Sequence, residues 1–293
     1  MAMNGEHTIV KLKLDVIFKR VFGNENNKDI LAAFLSAMLD IPRNSIETIY
    51  INNVELAPEF LGRKFSRLDL RLDVDGRTVN VEMQVNTEDD FRERTLYYWS
   101  KIFSEDLKAG QEYSDLKRTV CINIVNFNLF NCVDYHSHFQ VMEKERGEVL
   151  SDKFAIHFFE LKKINNVQKN QAMEDWLHLI NAETEEELMA IQQTTTIPEV
   201  KNTIVILRQL SADEKIRQEA YYREKALHDE ASARSYERRM GREEGIVEGR
   251  AEGRAEGRAE GRAEGKVERD DELTKMWREM GMTEAQIRKL LGK

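Results

Sequence analysis

Cysteine, proline, long apolar runs and a positive charge balance are all lacking in this sequence, and each shortage closes off a class of protein. There are 2 cysteines in 293 residues, Cys121 and Cys132. Their spacing fits no metal motif, and so little cysteine cannot supply a disulfide framework. Cys121 lies in the apolar run TVCINIVNF, where cysteine acts as a small hydrophobe. Only 3 prolines are present, which argues against extended Pro-rich linkers. No stretch reaches the roughly 18 consecutive apolar residues of a membrane span. The first twenty residues lack the apolar segment of a secretory leader. A cytoplasmic chain with no membrane partner is therefore expected. Basic residues number 44 against 53 acidic ones, a net charge of −9. Any nucleic-acid contact must then come from a local basic patch, with metal ions offsetting acidic groups. No GxxxxGK[ST] loop or HExxH motif occurs, so neither ATP use nor a zinc protease is indicated.

What is present is enough apolar residue, 41%, for a proper core, with 33% charged residues that suit long solvated helices. Helical spacing of Leu14, Ile17, Phe18, Val21 and Phe22 predicts a helix over 8–22, closed by Gly23. A second helix is expected from Lys28 to Leu39, with Asn27 as its cap and Pro42 beyond its end. Residues 45–56 read as a strand. A long helix is expected from Thr87, its cap, to Ala109, with Gly110 ending it. Strands follow at 118–127, 133–142 and 154–160, then helices near 170–182, 184–194 and 199–210. From about residue 212 a nearly continuous polar helix is expected, and the tail TEAQIRKLLGK reads as a short helix capped by Thr283. The chain thus divides into a mixed domain at 1–165, a helical subdomain at 166–211, and a helical extension at 212–293.

Residues 245–266 repeat with a period of four: GIVE GRAE GRAE GRAE GRAE GK. On a helix, residues four apart are neighbours, so each type forms its own stripe and glutamate lies beside glutamate. Each glycine costs about 1 kcal/mol relative to alanine. The stretch is a poor isolated helix, and two readings compete: a helix that pairs through its small-residue stripes, giving a homo-oligomer, or a solvated spacer.

The segment from Arg63 to Gln84 carries the chemistry. Leu68, Leu70, Leu72 and Val74 alternate with Arg67, Asp69, Arg71 and Asp73. After Asp75-Gly76, Val79, Val81, Met83 and Val85 alternate with Asn80, Glu82, Gln84 and Asn86. This is a hairpin with a two-residue turn and one apolar face. Its register sets Leu70 against Val81 and Asp69 against Glu82, with Arg67 facing Gln84 and Arg71 facing Asn80. Opposed Cβ atoms lie about 4.5–5.5 Å apart. Two carboxylates so placed repel unless a cation sits between them, and Mg²⁺ or another hard divalent ion suits them. Such an ion can activate water for phosphodiester hydrolysis, with Arg67 and Arg71 holding phosphate. The competing reading is a solvated face on which the arginines pair with the carboxylates.

The element order, helix, three strands, helix, strand, together with RLDLRLDVDGRTVNVEMQ, resembles the PD-(D/E)XK nucleases. DVIFKRVFG at 15–23, VEMQ at 81–84 and FRERTLYYWSKIFSEDLKAGQEYSDLKRTVCINIVNF at 91–127 further resemble the Rpn family, recombination-promoting and transposase-like nucleases. The resemblance implies an α/β fold with a restriction-endonuclease-like αβββαβ core and a helical C-terminal extension. It implies a metal-dependent endonuclease acting on double-stranded DNA and promoting recombination through breaks. It places the metal on Asp69, Glu82 and the Met83 carbonyl, with Gln84 orienting water and Asp15 on the first helix as a further member of the site. Leu68 stands where that motif has proline, and Gln84 where it has lysine. The missing lysine charge leaves a second function open, a DNA-binding or regulatory protein that no longer cuts. A third is a scaffold assembled through its long helix.

Other residues carry their own alternatives. Asp15 and Lys19, four apart, form either part of the site or a surface ion pair. Lys19 is also a candidate DNA contact. Arg94, Tyr98 and Lys101 share a helical stripe suited to a DNA backbone, while Tyr97 and Trp99 are expected to pack inward. His136 and His138 point the same way on a strand, but two histidines do not make a zinc site.

Overall fold

The computed structural model describes residues 9–52, 55–56, 66–67, 70–87, 90–105, 107, 110–166 and 168–292. Helix α1 spans Asp15–Phe22 and does not begin near residue 8. Residues 11–14 form a turn, in which the Leu14 amide donates to the Lys11 carbonyl at 3.1 Å and Val10, Leu12, Lys13 and Leu14 are all buried, and the helix starts only after it. Gly23 ends α1 where a Cβ would lie 2.6 Å from the Lys19 carbonyl oxygen and 3.1 Å from Leu70 Cδ2. Helix α2 covers Lys28–Leu39. The single strand expected over 45–56 is instead β1 (Ile49–Ile51) and β2 (Glu55–Leu56), the latter paired with β3 (Ser66–Arg67) in a separate ladder.

Strands β4 (Leu70–Val74) and β5 (Arg77–Gln84) form the expected hairpin in the expected register, from Leu70 opposite Val81 to Val74 opposite Arg77. Asp75 and Gly76 both have positive φ, 50° and 73°, the backbone that a two-residue turn requires. The Asp75 carboxylate accepts from the Thr48 amide at 2.8 Å and its hydroxyl at 2.9 Å, fastening the turn to the chain before β1. These bonds, led by the amide, hold its pKa below the usual carboxylate value.

Helix α3 covers Phe91–Glu105, shorter at both ends than the expected 87–109. Strands β6 (Thr119–Val125), β7 (His136–Phe139) and β8 (Phe154–Glu160) follow. The sheet order is β1-β4-β5-β6-β8-β7, with β5, β6 and β8 parallel and the other neighbours antiparallel. Helices α4 (Gln171–Asn181), α5 (Glu185–Thr194) and α6 (Pro198–Ala212) come next. Asn170 caps α4, and a Thr184–Glu187 capping box starts α5.

The two faces of the sheet differ. One carries the main core, where Leu70, Leu72, Val79, Val81 and Met83 join residues of α1, α2, α4 and α6. Phe22, Phe34 and Trp176 pack there with ring centroids 4.7–5.9 Å apart. The other face has a smaller core of Phe91, Cys121, Val125, Phe127, Ile156 and Phe158 beneath α3. Helix α7 runs from Glu214 to Glu279 and α8 from Glu284 to Leu291. The chain forms two compact units, residues 1–229 and 230–293, so the first turns of α7 belong to the first unit. No helix among the described residues is long and apolar enough to cross a membrane.

At the β7 edge, His138 lies opposite His157 with rings stacked at 4.1 Å, and His136 Nε2 lies 3.0 Å from His157 Nδ1. Burial first, then the neighbouring rings, hold His157 down to about 3. Burial likewise lowers His136 to about 4. The unfolded chain, with histidines near their ordinary 6.5, therefore binds protons that the folded chain refuses. Stability is full above that value and falls as pH drops toward the folded ones. For His157 alone the loss between pH 7 and pH 5 is about 2 kcal/mol, or roughly 4–8 °C in melting temperature for a unit of this size. Thermal melts of wild type and His157→Phe should show a visibly shallower fall in the variant. Parallel curves would mean that His157 does not titrate in this way.

Candidate active site

The charged face of the hairpin is covered. Helix α3 lies over it, so Thr78, Asn80 and Glu82 on β5 and Thr119 and Asn123 on β6 are buried polar residues. Parallel pairing sets Asn80 beside Cys121, Glu82 beside Asn123 and Gln84 beside Val125. Helix and sheet are joined by polar contacts, since Trp99 Nε1 donates to the Thr119 carbonyl at 2.9 Å and Thr95 Oγ1 lies 3.5 Å from Asn123 Oδ1. Burial pushes the Cys121 thiol pKa well up, with the Glu82 charge adding to it.

Glu82 stands near the end of the central strand with 7% of its surface exposed. Its Oε1 accepts from Asn80 Nδ2 at 3.2 Å, and its Oε2 lies 3.9 Å from an Arg94 nitrogen. Gln84, two residues on and on the same face, accepts from Arg94 Nη2 through Oε1 at 3.0 Å. Its Nε2 donates to the Asn86 carbonyl at 3.1 Å. Arg94 thus connects both site residues of β5. Its guanidinium rests on the ring of Phe91 at 4.8 Å and near that of Tyr98 at 5.9 Å. Such contacts orient a guanidinium while leaving its charge intact. The Met83 side chain is buried on the opposite, apolar face.

The remaining residues of the expected site are placed as follows. Asp69 lies outside the described residues, as does the Arg67 side chain. Arg71 faces Asn80 across the hairpin, and its guanidinium meets Glu105 of α3 at 2.7 Å. Asp15, in the first turn of α1, accepts from Arg223 of α7 at 2.7 Å. Lys19 lies on α1 and Lys101 on α3, both half-buried. Of the Arg94, Tyr98 and Lys101 stripe, Arg94 turns toward β5. Trp99 packs inward on Phe103 and Phe154, at 4.7 and 4.5 Å, but Tyr97 is 48% exposed, against expectation. The inward role of Arg94 and the burial of Asn80 and Asn123 are not legible in the sequence pattern. The only sequence signal for the asparagines is a polar residue in each of two neighbouring apolar strands.

Among the described residues no group of three or more His, Cys, Asp or Glu side chains could hold a metal ion. The donor chemistry present nevertheless suits a hard cation. Glu82 offers a nearly buried carboxylate, and Asn80 Oδ1 is buried with no hydrogen-bond partner among the described residues. Oxygen donors of this kind are what Mg²⁺ and Ca²⁺ take.

A family model described as PD-(D/E)XK nuclease family transposase matches residues 12–237. No curated protein and no solved structure matches.

Proposed function

Because this chain belongs to the PD-(D/E)XK nuclease family transposases, a family of nucleases that generally use divalent metal ions, we propose that it is a Mg²⁺-dependent endonuclease of double-stranded DNA whose breaks promote recombination. The observation that carries this reading is Glu82. A carboxylate on a central strand with 7% exposure is costly to bury unless something positive compensates it, and a bound cation would do so. The β4–β5 pairing from Leu70 to Val74 agrees with the register read from the sequence, in which Asp69 faces Glu82, and that agreement supports Asp69 as its partner.

In this reading Asp69, Glu82 and the Met83 carbonyl hold the cation, and Asp15 is an outer member of the site. When bound, the ion lowers the pKa of a water and polarises the phosphoryl oxygen. Hydrolysis forms one bond from the water oxygen to phosphorus and breaks one phosphorus–oxygen ester bond. The proton given up by water is balanced by the one taken up on the leaving oxygen, so no co-reactant besides water is consumed. Gln84 fixes the geometry on the polar face, where a side-chain amide can donate to phosphate and accept from water. Lys19, Arg67, Arg71, Tyr98 and Lys101 position the DNA backbone. Arg71 must then exchange Glu105 for phosphate, a modest cost for a partly exposed pair.

Supercoiled plasmid incubated with pure protein tests the proposal. Nicking that requires a divalent ion and stops with EDTA is expected. Duplex binding without nicking in Mg²⁺ or Mn²⁺ would support the DNA-binding, non-cutting reading instead. For the second unit, we propose self-association through α7. An added Cβ at each repeat glycine from Gly245 to Gly265 would meet nothing within 4 Å, so those stripes are open to a second helix.

A further inference from the structure

The name-giving motif of this family ends in lysine, and this chain has Gln84 there. The structure places another cation against the same residue. We infer that Arg94 supplies, from α3, the fixed positive charge that the motif lysine would supply from β5. The inference rests on the nuclease reading and adds a residue to it.

Three observations carry it. First, Arg94 reaches both functional side chains of β5, Gln84 at 3.0 Å and Glu82 at 3.9 Å. Its charge thus lies within one hydrogen bond of the side chain at 84, the position from which a motif lysine would project its own. Second, the guanidinium is held in place by Phe91 beneath it at 4.8 Å and Tyr98 beside it at 5.9 Å. A charge fixed before the reaction needs no reorganisation when negative charge develops on phosphate. Third, its side chain is 23% exposed. It is therefore partly shielded from water, so its field is less screened, yet open enough for a phosphate oxygen to approach. Arginine stays protonated at all relevant pH. Arg94 therefore cannot take the proton from the attacking water. Its part is restricted to charge, to hydrogen-bond donation, and to holding the Gln84 amide with its oxygen toward α3 and its nitrogen toward Asn86.

This differs from a DNA-backbone contact in what it predicts. A backbone contact contributes to binding and to its salt dependence. A charge aimed at the reacting phosphate contributes to the rate.

The experiment is single-turnover nicking of supercoiled plasmid in Mg²⁺, with duplex affinity measured separately by fluorescence anisotropy in Ca²⁺. The proteins are wild type, Arg94→Ala, Arg94→Gln, Arg94→Lys, Gln84→Lys and the double variant Arg94→Ala/Gln84→Lys. Arg94→Ala should cut about 100-fold more slowly, by analogy with the loss of one preorganised donor, while its duplex affinity stays within about threefold of wild type, the electrostatic binding term being spread over many contacts. Arg94→Lys should stay within about tenfold of wild type. The double variant should recover at least about tenfold over Arg94→Ala, because the lysine returns the charge to β5. In the wild-type background Gln84→Lys should give no gain, since it sets a second cation against Arg94. If Arg94→Ala melts far below wild type, Arg94→Gln, which keeps most of the stem, decides by the same criteria. The inference is overturned if the neutral variant cuts like wild type, if its affinity falls as much as its rate, or if the double variant shows no recovery. A wild-type protein that does not cut with any divalent ion overturns the nuclease reading, and this inference with it.

Discussion

Glu82→Gln is expected to cut supercoiled plasmid at least about 1,000-fold more slowly than wild type while binding duplex DNA as well or better. The substitution keeps the shape of the side chain and, with its amide oxygen toward Asn80, keeps the 3.2 Å bond from Asn80 Nδ2. What it removes is one negative charge. A neutral amide is a far weaker ligand for a hard cation than a carboxylate, so metal-dependent chemistry fails. Attraction to phosphate does not suffer, because an anion has left the site. Asp69→Asn should reproduce the loss of cutting with the same retention of binding. Measurements at the wild-type Mg²⁺ optimum and at tenfold higher concentration separate lost affinity from lost chemistry. Wild-type rates from either variant would remove Asp69 and Glu82 from the metal site.

The hairpin is legible in the amino-acid sequence because two independent signals agree there. Alternation fixes which side chains share a face, and Asp75-Gly76 fixes where the chain reverses. Together they leave one register, and that register is found. What alternation cannot say is what covers the polar face. Thr78, Asn80 and Glu82 resemble a solvated edge in the sequence, yet they are buried under α3. Helical spacing groups Arg94 with Tyr98 and Lys101 in an outward stripe, but a long flexible side chain at the edge of such a stripe can fold back to the sheet. The Asp15–Arg223 pair joins residues 208 apart in the chain, a distance over which no local pattern extends. One other departure does have a local signal. Tyr97 and Trp99 are two apart and so point about 200° away from each other on a helix, which excludes both packing inward.

A chain ending at Asp229 is expected to melt within about 3 °C of the full protein, whereas one ending at Ser211 should melt roughly 8–16 °C lower or fail to stay soluble. The difference lies in the first turns of α7. Ala220 is buried there, and Ile216 and Leu227 pack against the main core. Arg20–Glu219 and Lys11–Glu224 pair at 2.5 Å, and Arg223–Asp15 at 2.7 Å. Counting about 1.5 kcal/mol for each of the two partly buried aliphatic side chains and about 1 kcal/mol for the partly exposed ion pairs together gives roughly 4 kcal/mol, which sets the expected shift. These turns also reach the candidate site. Asn86, whose carbonyl holds Gln84, donates to the Leu227 carbonyl at 2.9 Å, and Asp15 is held by Arg223. The shorter truncation therefore frees both anchors, and any cutting it retains should be weaker than that of the 1–229 chain. Residues 230–293 form their own compact unit, so removing them should spare the melt and the site and take away self-association. Sedimentation of the 1–229 chain and the full protein at equal concentration measures that last point. Equal oligomeric mass would show that the repeat helix does not assemble the protein, and equal melting of the two truncations would show that the first turns of α7 do not stabilise the nuclease unit.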